Sequence, residues 1–149
     1  MSPDQWRDQL LSSSARETRE QEADFLRLVD IVHDRVTPHV ANALLATFSD
    51  SADFGTQERV CSVLAGAPVD TRVRAILEKL PRLDSEAAGW AEVLMGELVE
   101  HDLIALKRHL HFAAAEIRFA VRGLLSHPES CEIHPEAKSL RGYCIGGAG

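Results

Sequence analysis

Apolar residues recur at helical spacing along most of this chain, and nowhere before residue 126 do they alternate as a half-buried strand requires. Trp6 with Leu10 and Leu11 forms one such set. Phe25, Leu28, Val29 and Val32 form a second, and Val40, Ala41, Leu44, Leu45 and Phe48 a third. Prolines at 38, 68 and 81 interrupt the pattern, because proline lacks the N–H that a helix interior needs. Helix, short break and helix again confine the chain to an all-α fold. Short breaks favour stacked antiparallel helix pairs, either a HEAT-like α-α superhelix or an irregular bundle, with about six to eight helices.

Local chemistry sets the expected boundaries. Ser2-Pro3-Asp4-Gln5 combines a capping hydroxyl, proline in the first turn and a glutamine able to reach back, so a helix should start there and end near Ser12-Ser13-Ser14. A second helix is expected from Thr18 to Arg35, and a third restarts at Pro38. Ser49-Asp50-Ser51-Ala52-Asp53-Phe54-Gly55-Thr56 is a loop by composition. Helix should resume from Gln57 to Leu64, stop at Ala65-Gly66-Ala67-Pro68 and restart behind Asp70, with Val73, Ile76, Leu77 and Leu80 inward and Pro81 as its end. Asp102 to Ser126 is helical by pattern, through Leu103, Leu106, Leu110, Ile117, Val121 and Leu124. Ala113-Ala114-Ala115 is a candidate connection between two helices there. One helical domain over 1–126 is expected, followed by an irregular tail over 127–149 that packs on it, with Leu140, Tyr143 and Ile145 as its apolar contacts.

The stretch between Asp84 and Asp102 is the most informative. Asp84 or Ser85 is the expected cap, and Trp90, Leu94 and Leu98 recur every fourth residue, with Ala91, Met95 and Val99 beside them. Trp90 is expected in the core. At ~100° per residue, Glu86, Glu97 and Glu100 share the opposite face, with Glu92 at its edge. Leu83 to Leu106 holds six acids and no Lys or Arg, and a second stretch without either base runs from Val36 to Glu58. Exposed charged faces are ordinary, but carboxylates without interspersed bases also suit a cationic partner. Gly89 and Gly96 lie on the same polar side. Glycine costs about 1 kcal/mol against alanine inside a helix, and close approach by another chain segment would be a reason for it.

A formal net charge of −7 argues against binding nucleic acid or an anionic membrane, since both require basic surface. No apolar run approaches the ~20 residues of a membrane span, and the polar start Met1-Ser2-Pro3-Asp4 is unlike a signal peptide. Three cysteines without close pairing suit a reducing cytoplasm.

Signs of catalysis or cofactor binding are sparse. No phosphate-binding glycine loop, dinucleotide motif, nucleophile elbow or HExxH occurs. The 49–56 loop lacks the alternating acids and terminal glutamate of a calcium-binding EF-hand. His109 and His111 are two apart, about 200° around a helix, too far to share a metal. Cys131, His134 and Cys144, with His127, lack the paired close spacing of zinc modules. Glu97 and His101 are four apart and could make an acid-base pair, yet no nucleophile or pocket accompanies them. No cofactor, metal or enzymatic activity is expected.

Phe48-Ser49-Asp50 with its acidic loop, Gln57-Glu58-Arg59-Val60, Leu80-Pro81 and Gly89-Trp90-Ala91-Glu92-Val93-Leu94 form a recognisable set. Across Thr37 to Leu125 the chain resembles the small all-helical immunity proteins of bacterial polymorphic toxin and contact-dependent growth inhibition systems, in particular immunity protein family thirty. The resemblance implies stoichiometric binding and neutralisation of a cognate toxin domain, often a nuclease, in a heterodimeric complex. A nuclease surface is cationic because it holds phosphates, so concentrated carboxylates on an inhibitor would speed and select the encounter. Asp50, Asp53, Glu58, Asp84, Glu86, Glu97 and Glu100 are the candidate contacts, with Phe54 as an apolar anchor. The competing expectations are a helical-repeat adaptor or regulator that binds another basic cellular protein, and an enzyme using a histidine–carboxylate pair around His101 and His109.

Overall fold

Ser2 opens the first helix with both halves of a capping box. Its Oγ accepts from the Gln5 N–H at 3.2 Å, and Gln5 Oε1 accepts from the Ser2 N–H at 2.9 Å. Thr18 and Thr37 cap the next two helices through the same kind of hydroxyl contact. The computed structural model describes residues 1–51, 55–126, 140 and 144. These residues form α1 (Pro3–Ser13), α2 (Arg19–Ile31), α3 (Pro38–Leu45), α4 (Thr56–Ala65), α5 (Val69–Glu86), α6 (Ala88–His101), α7 (Leu103–His111) and α8 (Ala115–Leu125). The protein is all-α, and the described residues include no strand. Asp53, Phe54 and the tail, apart from Leu140 and Cys144, lie outside the described residues.

The chain divides into two compact units, Met1–Ala75 and Ile76–Gly149. In the first, α1 packs on α2 and α3, and both α2 and α3 pack on α4. Phe25, Leu28 and Val29 of α2 and Ala41, Leu44 and Leu45 of α3 are all buried, as their spacing predicts. Trp6 is buried with its ring nitrogen satisfied, Nε1–H donating to the Leu28 carbonyl at 2.9 Å. Leu11, expected beside it, is 39% exposed. A strip of one residue per turn suffices for α1 to pack against its neighbours, and Leu11 lies ~100° from Leu10. Between α1 and α2, Arg16 takes a left-handed backbone (φ 51°) and sets its guanidinium 4.8 Å from the centre of the Phe25 ring.

In the second unit α6 packs on α7 and on α8. Ala91, Leu94, Met95, Leu98 and Val99 form the buried face of α6. Leu106 and Leu110 on α7 and Val121, Leu124 and Leu125 on α8 are buried as well. Residues 112–114 separate α7 from α8, so the alanine run does mark a connection. Leu140 and Cys144 are also buried.

Four boundaries differ from the sequence expectation: α2 ends at Ile31 and not Arg35, α5 starts at Val69 with Asp70 inside its first turn, and the other two, around Pro81, are linked. Helix α5 does not stop at Pro81 but runs on to Glu86. Proline forfeits one backbone hydrogen bond and tends to bend a helix. Here Leu80 and Leu83 on either side of it are fully buried, and Arg82 and Glu86 close the last turn with an ion pair at 2.6 Å. Burial on both sides of the proline outweighs the lost bond. The break falls instead at Ala87, itself buried, and α6 begins at Ala88 without a side-chain cap. Asp84 and Glu86 therefore belong to the end of α5, and neither Asp84 nor Ser85 caps α6. Trp90 lies in the first turn of α6, ~100° from Ala91 at the margin of the buried arc, and is half-buried instead of core.

Candidate functional site

The sequence-predicted contacts fall into two groups, one in each unit. In the first unit, Asp50 and Glu58 flank the loop that leads into α4, and both are exposed. Gln57 builds this region. Its buried side chain accepts from the Ser49 N–H at 2.8 Å and donates to the Ser51 carbonyl at 3.3 Å, tying the start of the loop to the first turn of α4. Gly55, the residue before α4, has φ 93°, a left-handed conformation that glycine adopts without strain. Arg59, adjacent to Glu58, turns away to Asp30 on α2 with its Nε 2.7 Å from Oδ1. Glu58 keeps a first-turn position in α4, where a carboxylate complements the helix dipole. Asp53 and Phe54 lie outside the described residues.

In the second unit, Glu97 and Glu100 occupy the last turns of α6, with side chains 56% and 60% exposed. His101 stands between them, its Nε2 at 3.6 Å from Glu97 Oε2 and 3.9 Å from Glu100 Oε2. Such exposed pairs add little stability, because water and salt screen them. His101 lies in the last turn of α6. Val93, 47% exposed, lies one helical turn before Glu97 and two before Glu100, so the acidic face carries an apolar spot on the turn that precedes its carboxylates. Helical spacing from Glu97 and Glu100 was the signal that could have picked it out.

Asp84 and Glu86 are exposed on the last turn of α5, not on α6. Glu86 is neutralised locally by Arg82, a base just outside the acid-only stretch that helix continuity brings alongside. The acidic cluster of α6 itself therefore reduces to Glu97 and Glu100, with Glu92 also exposed. Gly89 is exposed too, and nothing lies within 4 Å of where a Cβ would stand, so close approach by another described segment does not account for it.

Sequence reasoning missed the apolar surface of the second unit. Ile104 is 83% exposed, Phe112 81% and Phe119 80%. Phe112 closes α7 and meets the His111 ring edge-on at 4.8 Å between centroids. Phe119 lies two residues from both Ile117 and Val121, ~200° from each around α8, and that spacing alone turns it away from the buried side. Cys144 is a buried free thiol. Burial raises its pKa, while Arg118 and Arg122 pull the other way, which locates this tail residue near α8. Among the described residues, no three His, Cys, Asp or Glu side chains form a group that could hold a metal ion. No described helix is long and apolar enough to cross a membrane.

Fold and surface together define an all-α protein with exposed carboxylates in each unit and exposed aromatics in the second. No protein-family model, characterised protein or solved structure matches the chain.

Proposed function

We propose that this chain is an immunity protein that binds a cognate bacterial toxin domain, a basic nuclease, and neutralises it in the cytoplasm without catalysis. The observation that carries this reading is the exposed pair Glu97 and Glu100, which no Lys or Arg side chain pairs with among the described residues. A cationic active-site rim must hold phosphates, and carboxylates fixed on a helix compete for the same Lys and Arg groups. Val93 supplies apolar contact on the turn before the two charges, and Asp50 and Glu58 are the acidic candidates of the first unit. The resemblance across Thr37 to Leu125 supports the same reading.

The test is co-purification with the product of the neighbouring reading frame, followed by charge reversal. Glu97→Lys with Glu100→Lys should slow association by about tenfold at low salt and flatten its dependence on ionic strength. Stopped-flow association across a salt series measures both. Unchanged rate and unchanged salt slope would remove the acidic face from the interface.

A further inference from the structure

We draw no further inference here: the strongest candidate, the exposed apolar surface of the second unit given by Ile104 in α7, Phe112 at its end and Phe119 in α8, carries nothing because nothing in the structure shows what covers it.

Discussion

Phe25 and Phe119 are the same residue in helices of similar length, yet α2 buries one completely and α8 leaves the other 80% exposed. The contrast extends to the units that hold them. In the first, α1, α2 and α3 each begin with a hydroxyl that accepts a backbone N–H, while α4 follows Gly55 without one, and Leu11, Ile31 and Val69 are only 39–51% exposed. In the second, α6, α7 and α8 begin at Ala87, Asp102 and Ala114 with no side-chain cap bond, and Ile104, Phe112 and Phe119 are each at least 80% exposed. Capped starts with a fully buried Phe25 describe helices stabilised largely within their own unit. Uncapped starts and exposed rings describe helices whose local signals and apolar surface are less fully used within the described residues.

Replacement of the two phenylalanines tests that difference most sharply. Phe25→Ala should lower unfolding free energy by about 3–5 kcal/mol through lost burial and an unfilled cavity. Phe119→Ala should change it by less than about 0.5 kcal/mol. Urea denaturation of both variants checks the pair, and equal losses would erase the distinction between the regions. Trp6→Phe comes next. It keeps most of the ring but leaves the buried Leu28 carbonyl without its donor, and should cost about 1–3 kcal/mol in the same assay.

The helix starts give the smallest effects, opposite in sign between the units. Thr18→Ala removes the cap of α2 and should cost about 1 kcal/mol. Ala114→Asp should gain about 0.5–1 kcal/mol, because Ala114 already has the extended backbone of a cap residue (φ −62°, ψ 154°) and lacks only the acceptor. Shifts in thermal midpoint register both. A destabilising Ala114→Asp would show that the start of α8 is constrained by something other than its missing cap.

Much of the first unit was legible because its signals are local. Ser2 with Gln5, Thr18 and Thr37 with Pro38 act within one turn of the residues they order, and a 3.6-residue period reports burial without knowledge of the partner helix. The exposure of Phe119 was missed although its signal is equally local, since its ~200° offset from Ile117 and Val121 is a property of α8 alone. The candidate site was readable only in part. Exposure of Glu97 and Glu100 follows from their angle to Leu94 and Leu98, whereas the assignment of Asp84 and Glu86 to the same face assumed a helix start that does not exist.

What the sequence by itself determined is the all-α class, most of the helix starts and the buried face of each helix, because caps and periodicity operate over one to three turns. The tertiary structure alone decided that α5 passes Pro81, that Trp90 sits at the edge of the core and that Arg59 reaches Asp30 on α2. Tertiary structure alone also decided that Gln57 closes the loop beside Asp50. Each of these depends on a comparison between a local preference and burial or pairing with residues distant in the chain. The helix that continues through Pro81 does so because Leu80 and Leu83 are buried together, and no local rule contains that term.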